Sequence, residues 1–150
     1  NVSEKYNFAY LRKKGFKNGL KKHSLKFNSH LYKTTSLEDP SHSKNITLDL
    51  LKNNPDLKCI ICSTEYSSVG AIQACVELNK KIGKDVSLIT FDGPVVESLT
   101  NPHISAVSHP LEELGTNAIK ILMHPDKQQE YNSFLVTPKI IDRGSVKSLL

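Results

Sequence analysis

The sequence has no tryptophan and a single methionine, and only 7% of its 150 residues are aromatic. No apolar run approaches the ~20 residues that cross a bilayer, which excludes a helical membrane protein and predicts no membrane partner. No apolar segment with a small-residue cleavage site opens the chain, so nothing marks it for export. The first residues, Asn1-Val2-Ser3-Glu4-Lys5, lack an initiator Met, as in a cut or processed chain. Cysteine is scarce and odd in number, three in all. Without a secretion signal these residues read as reduced thiols, and the expected compartment is the cytoplasm.

Catalytic and metal motifs are missing too. His23, His30, His42, His103, His109 and His124 show no HxxxH or HxH spacing, so no metal is expected. Cys59-Ile60-Ile61-Cys62 matches CxxC but lies inside a strand pattern. Redox pairs sit at helix starts and zinc sites need a second pair, so core packing is the expectation for these thiols. There is no GxSxG, no P-loop and no GxGxxG, and no cofactor is implied. Glu112-Glu113 suits the first turn of a helix rather than a catalytic dyad. No nucleophile–base pair is visible, which argues against an enzyme on this scaffold.

Hydrophobic residues reach 38%, enough for one core, and the net charge is +5. The charge is uneven. Residues 1–44 carry ten Lys/Arg against Glu4, Glu38 and Asp39, or +7; residues 45–150 carry ten against twelve, or −2. A basic end can meet a polyanion. Lys13, Lys14, Lys17, Lys21 and Lys22 have helical spacing, however, and read as a solvated helix face.

Periodicity predicts a helix over 5–23, with Phe8, Leu11, Phe16 and Leu20 on one side. Gly15 and Gly19 weaken it and suggest close approach to a sheet. A short strand is predicted at 29–34, a loop at 36–43 and a helix at 44–53, stopped by Asn53-Asn54-Pro55. Leu57–Cys62 is a near-continuous apolar run, the pattern of a strand covered on both faces. A helix follows at 67–81, with Val69, Ile72, Val76 and Cys75 as inward candidates. Strands are predicted at 86–91 and 104–108, then a helix at 110–123 with Pro110 at its first position. Its inward set is Leu111, Leu114, Ala118, Ile119 and Leu122. A last strand is predicted at 134–137. This alternation argues for an α/β fold with a parallel, doubly wound sheet.

In such a sheet ligands bind beyond the carboxyl ends of the strands. Ser63, Thr64 and Glu65 follow one strand, Phe91 and Asp92 end another, and His109 follows a third. Arg12 lies in the early turns of the first helix, on the same edge if the crossovers are right-handed. Together Arg12, Thr64, Phe91, Asp92 and His109 suit a small polyhydroxylated ligand: a carboxylate accepts from hydroxyls, a guanidinium donates in a fixed fork, and a ring offers a flat face. Each also has a plainer reading. Asp92 before Gly93 could shape a turn, His109 before Pro110 could cap or merely precede a helix, Thr64 could cap a helix, and Arg12 could belong to the basic face.

Several stretches carry a resemblance, in order, over nearly the whole chain. Arg12–Leu20 looks like R-x-x-G-F/Y-x-x-a-L. Ile60–Ala71 looks like a strand followed by a-N-D-x-x-A-x-G-a. Lys84–Asp92 looks like P-x-D-I/V-S-V/L-I/V-G-F/Y-D. Asn101–Gly115 looks like P-P-L-T-T-V-x-Q-P-x-x-x-I/L-G, and Ile140–Ser145 looks like L-I/V-x-R-x-S. The sequence thus resembles the effector-binding core of the LacI/GalR family of bacterial transcription regulators, a periplasmic-binding-protein-like fold of type I. The resemblance implies effector contacts at Arg12, Asp92 and His109, the last where many members carry Gln, and Phe91 occupies the aromatic position before the Asp. Thr64-Glu65 stands where the family usually has Asn-Asp, and Thr90 replaces a usual Gly.

It further implies a C-terminal subdomain over 1–109, a crossing helix and loop over 110–130 that normally belong to the other subdomain, and a returning strand and tail over 131–150. The expected function is effector sensing and dimerisation in a DNA-binding repressor-type regulator. Its effector would be a sugar or sugar derivative, and operator DNA would be met only through an N-terminal head outside this sequence. Family dimer contacts lie near the 67–81 helix and the loop after Asp92. An uncovered crossing helix would expose Leu114, Ile119 and Leu122, which adds to the expectation of a homodimer or swapped contact. The alternative is a solute-binding protein of a sugar transport system, which shares the fold.

Overall fold

The computed structural model describes residues 3–35, 37, 39–93, 100–124 and 135–147. Its sheet has four strands in the order β1-β2-β3-β4: β1 (Cys59–Ile61), β2 (Ser87–Phe91), β3 (Ser105–Ser108) and β4 (Lys139–Ile141). The first three run parallel, and β4 pairs antiparallel to β3 with Val107 opposite Ile140. The α/β class expected from alternation is therefore present, with one antiparallel edge on an otherwise parallel sheet.

Among the described residues, two helices supply half of the buried apolar ones. α2 (Pro40–Asn53) begins four residues earlier than periodicity predicts, because Asp39 accepts from Ser41 N at 2.8 Å and Pro40 takes the first helical position. α3 (Glu65–Glu77) lies against it. The contact is close at Gly70, where a Cβ would come within 2.0 Å of Ser43 Oγ and 2.3 Å of the Pro40 carbonyl. Small hydroxyl residues line the seam. Ser43 donates to Pro40 O at 2.9 Å and Thr47 donates to Ser43 O at 2.8 Å, which satisfies polar groups that burial would otherwise strand. Beneath the helices, Cys62, Ala71, Ile72, Leu88 and Ile104 form one apolar cluster, and Leu51, Cys75 and Val86 another.

Several expectations need correction. β1 is an edge strand, so Cys59 and Ile61 are exposed rather than covered on both faces, and the core-packing expectation holds only for Cys62 and Cys75. Burial pushes the thiols of those two up to about 11. Val76 does not face inward; it is 70% exposed, and its neighbour Cys75 takes the buried position. The predicted strand at 29–34 is a 3-10 turn, Ser29–Leu31, because the Asn28 side chain accepts from His30 N at 2.9 Å and curls the chain locally. The predicted strand at 134–137 is displaced. Leu135–Pro138 is irregular and pairing begins at Lys139, just after the proline that cannot donate to a ladder; Phe134 lies outside the described residues.

α1 (Asn7–Lys22) buries Ala9, while Leu11 and Phe16 remain exposed. Its aromatic row turns instead to the chain that follows it. Phe16 meets Phe27 edge-on at 6.3 Å, and the ammonium groups of Lys13 and Lys17 lie 4.4 and 4.5 Å over the rings of Tyr32 and Phe27. Gly15 and Gly19 touch nothing that a Cβ would meet within 4 Å, so they do not mark a close approach. α4 (Leu111–Met123) buries no residue. Leu111, Leu114, Ile119, Leu122 and Met123 are exposed in this chain rather than inward. Pro110 sits one position earlier than predicted, as the N-cap. Among the described residues no helix is long and apolar enough to cross a membrane.

The segment after β4 fastens the starts of β2 and β3. Ser145 Oγ accepts from Ser105 N at 2.7 Å and donates to Leu88 O at 2.6 Å, and Arg143 Nη1 donates to Ile104 O at 2.8 Å. Asp142 accepts from Ser105 Oγ and Gly144 N; the Gly144 bond leads in holding its carboxyl below the usual range. Ser145 is fully buried. Ser145→Ala would leave one buried donor and one buried acceptor unpaired, and is expected to lower stability by roughly 2–3 kcal/mol. Urea unfolding of the two proteins checks this; a loss under about 0.5 kcal/mol, the scale of an ordinary surface change, would contradict the buried geometry.

Candidate functional site

The parallel pairing of β2 with β3 sets Phe91 beside Val107, so the residues just beyond both strands share one edge. Asp92 follows Phe91 directly. Its N–H donates to Val107 O at 2.9 Å, and its backbone then turns left-handed, with φ 56°, before Gly93 at φ 102°. Asp tolerates this region better than most non-glycine residues. The turn reading of Asp92 therefore describes its backbone, and the turn is what presents the carboxylate at this edge.

That carboxylate is held from two sides. His109 N donates to Asp92 Oδ1 at 3.0 Å, and the same residue's ring Nδ1 lies 2.8 Å from Oδ1 and 3.0 Å from Oδ2. From α1, Arg12 Nη2 lies 3.8 Å from Oδ2, and Arg12 Nη1 donates to the Ser63 carbonyl. The guanidinium sits between two rings, 4.2 Å from the Phe91 centroid and 5.1 Å from that of Phe8. Desolvation lowers the Arg12 pKa while the Asp92 charge opposes it; a guanidinium remains charged in proteins at neutral pH. The result is a forked donor over two aromatic rings beside a carboxylate, both partly exposed, with 20% and 36% side-chain exposure for Arg12 and Asp92.

Arg12, Phe91, Asp92 and His109 thus gather at one edge. Thr64 differs. It adjoins Ser63 in the chain, but its hydroxyl accepts from Ser67 N at 3.2 Å and Ser67 Oγ accepts from Thr64 N at 3.1 Å, a reciprocal cap on α3. Thr90, at the family's usual Gly position, is fully buried and accepts from Ser68 Oγ. Two residues were not named for the site. Phe8 is one helical turn before Arg12, an i, i+4 spacing visible in the sequence. Ser63 supplies its carbonyl, which no side-chain pattern could reveal, and its own Oγ is buried with no hydrogen-bond partner among the described residues. Among the described residues no three His, Cys, Asp or Glu side chains gather as metal ligands.

Chemically the edge offers a carboxylate acceptor, a forked cation and aromatic faces around half-open space. A hydroxyl can donate to a carboxylate while its oxygen accepts from a guanidinium, so these groups are of the kind that pair with hydroxyls.

This fold and this edge define a periplasmic-binding-protein-like α/β domain. Residues 2–146 match the family model described as periplasmic binding protein-like domain, and the chain belongs to that family. It is of the kind found in LacI/GalR-type transcriptional regulators. It is 27% identical over 95 residues to the HTH-type transcriptional regulator MalR of Streptomyces coelicolor, covering 62% of this chain and 28% of that protein. Over 147 residues it is 25% identical to the ribose operon repressor of Haemophilus influenzae, covering 97% of this chain and 44% of the repressor. The solved sugar-binding transcriptional regulator of the LacI family from Escherichia coli, complexed with phosphate, shares the fold. It superposes with TM-score 0.80 at 23% identity, over 97% of this chain and 52% of that one. The chain therefore spans less than half the length of either curated relative named here.

Proposed function

We propose that this chain is the effector-sensing part of a cytoplasmic LacI/GalR-type regulator, and that the edge formed by Arg12, Phe91, Asp92 and His109 binds a sugar or sugar derivative. The observation that carries the reading is the meeting of Arg12 and His109 on the Asp92 carboxylate, from three distant stretches, beside the ring of Phe91. In this reading residues 1–109 are one subdomain, 110–130 the crossing helix and its loop, and 131–150 the returning strand and tail. Thr64 contributes as the cap that fixes α3 rather than as a donor to ligand. Ligand favours one relative arrangement of two lobes through differential affinity, and operator affinity changes with it through a DNA-binding head. A homodimer is the working assembly, and the exposed apolar face of α4 is covered in it or by the second lobe. The named relatives are regulators, which supports this reading over a transport-type solute-binding protein and over an enzyme.

Isothermal titration of the chain with D-ribose, D-glucose, lactose and cellobiose tests the reading. Saturable binding of one sugar, unchanged in mass after incubation, is the expected result. Turnover of a bound sugar would overturn it in favour of an enzyme, and failure of all four to bind would remove the carbohydrate assignment.

A further inference from the structure

A neutral imidazole has one N–H donor and one bare acceptor nitrogen, and the partner of either nitrogen decides which is which. For His109 that partner is Asp92. Nδ1 lies 2.8 Å from Oδ1 and 3.0 Å from Oδ2, and the main-chain N–H of the same residue donates to Oδ1 at 3.0 Å. An ionised carboxylate only accepts. Nδ1 must therefore hold a proton whenever this contact is made, and the neutral ring then has none left for Nε2. Among the described residues Nε2 makes no hydrogen bond, and 32% of the side chain is exposed. The charges around the ring come from three elements. Asp92 ends β2, Arg12 on α1 stands 3.8 Å from that carboxylate, and Glu112 and Glu113 lie in the first turn of α4. Arg12 and Asp92 cancel, so a neutral His109 leaves no positive charge over for an anion.

We infer that Asp92 is a positioning residue that holds neutral His109 in its Nδ1–H form, and that the bare Nε2 makes His109 a specificity-determining acceptor: the effector presents an O–H or N–H donor there, not a phosphate or carboxylate. The inference rests on the sensing reading above for its ligand, but not for the place of the proton. It narrows a sugar or sugar derivative to an uncharged one. At Nε2 an anionic oxygen would meet a lone pair, with a carboxylate on the far side of the ring, and would have to be desolvated without a donor in return. Protonation reverses this. The imidazolium carries N–H on both nitrogens, so Nε2 becomes a cationic donor while the bond to Asp92 stays. A hydroxyl tolerates both forms, because it can donate to the bare nitrogen or accept from the protonated one. An acid tolerates only the second. The edge therefore rejects anions while His109 is neutral and admits them as the ring takes up a proton.

A proton–nitrogen correlation spectrum of the full chain, labelled at its histidine rings and recorded at about pH 8.5, tests the place of the proton without any ligand, since an ordinary imidazole is neutral there. His109 is assigned by the signals missing from His109→Gln. The expected pattern is a protonated Nδ1 and a bare Nε2. The opposite pattern would overturn the inference. Asp92→Ala should return the ring to the Nε2–H form that an unconstrained imidazole favours in water; persistence of Nδ1–H would take the control away from Asp92. Should Asp92→Ala fail to fold, Asp92→Asn puts a group that both donates and accepts beside Nδ1, and the pure pattern should give way to a mixture. The ligand arm compares whichever of the four sugars binds in the titration with the same sugar carrying a phosphate ester on its primary hydroxyl. At about pH 8.5 the ester should bind at least about 10-fold more weakly, the scale of one charge-assisted hydrogen bond, and at about pH 5.5 the gap should narrow. In His109→Gln, whose amide gains no proton, it should narrow less. An ester that binds as tightly as the sugar at the higher pH, or an equal narrowing in both proteins, would overturn the selection while leaving sensing intact. If no sugar binds, the sensing reading fails and the spectra alone decide the place of the proton.

Discussion

Gly70→Ala is expected to destabilise the fold by about 3 kcal/mol, although Gly→Ala within a helix ordinarily stabilises by ~1 kcal/mol. The sign reverses because of what lies against α3 at that point. A Cβ on residue 70 would stand 2.0 Å from Ser43 Oγ, 2.3 Å from Pro40 O and 2.6 Å from Lys44 N. The second and third of these are main-chain atoms of α2, so rotating a side chain does not relieve them. α2 must back away, and with it go the burial of Leu48 and Leu51 and the hydroxyl bonds of Ser43 and Thr47. A loss of this size corresponds to a fall in melting temperature of roughly 10 °C for a domain of this length. Adding Ser43→Gly removes one of the three contacts and should recover less than half of the loss. A melting temperature equal to or above wild type in Gly70→Ala would mean that helix propensity outweighs the contact and that α2 and α3 do not meet as described.

How much of this was legible in the sequence depends on what each residue answers to. Val86–Phe91 reads as a buried strand, and Ser87–Phe91 is one with no exposed residue, its polar members Ser87 and Thr90 being buried with the rest. Leu57–Cys62 is a comparably apolar run, but its strand sits at the sheet edge, leaving Cys59 and Ile61 exposed. Composition records affinity for burial, whereas strand order depends on the crossovers, which no local window contains. At 29–34 the predicted strand gives way to a local turn, in which the Asn28 side chain accepts from His30 N. At 134–137 a proline decided where pairing could start. On α1 the predicted apolar face is split: Phe16 meets Phe27, Phe8 lies under the Arg12 guanidinium, and Leu11 is exposed. The period was readable and the partner was not.

The meeting of residues at the edge proposed to bind ligand was legible for a different reason. Parallel strands fix the place where side chains beyond their carboxyl ends will meet, so Phe91, Asp92 and His109 could be grouped from topology alone. Arg12 joined them through the handedness of the crossovers. Thr64 was grouped with them by position, yet its hydroxyl serves α3, because an N-terminal helix turn with unpaired N–H groups competes for any nearby oxygen. The ring of Phe8 and the carbonyl of Ser63 complete the cradle of Arg12. Backbone contributions of the second kind are invisible to side-chain patterns, which is why the edge is more fully built than its residue types suggest.

Arg12 is where the largest effect on recognition is expected. Its guanidinium combines three features that no other side chain reproduces together: a cation over the rings of Phe8 and Phe91, a donor to the Ser63 carbonyl, and a second nitrogen facing Asp92. Arg12→Ala removes all three. The affinity for whichever sugar binds in the titration is expected to fall about 100-fold, the scale of one or two charge-assisted hydrogen bonds lost from a partly desolvated site. Arg12→Lys separates charge from shape. It retains the cation but not the plane or the fork, and its affinity is expected to fall about 10-fold, intermediate between wild type and Arg12→Ala. Asp92 remains tied to His109 in both variants, so α2, α3 and the sheet should unfold at nearly the wild-type urea concentration. If Arg12→Lys binds like wild type, the site uses only the positive charge, and the two rings flanking residue 12 have no part in recognition. If Arg12→Ala also binds like wild type, ligand sits elsewhere, and the meeting of arginine, aspartate and histidine at this edge serves the fold alone.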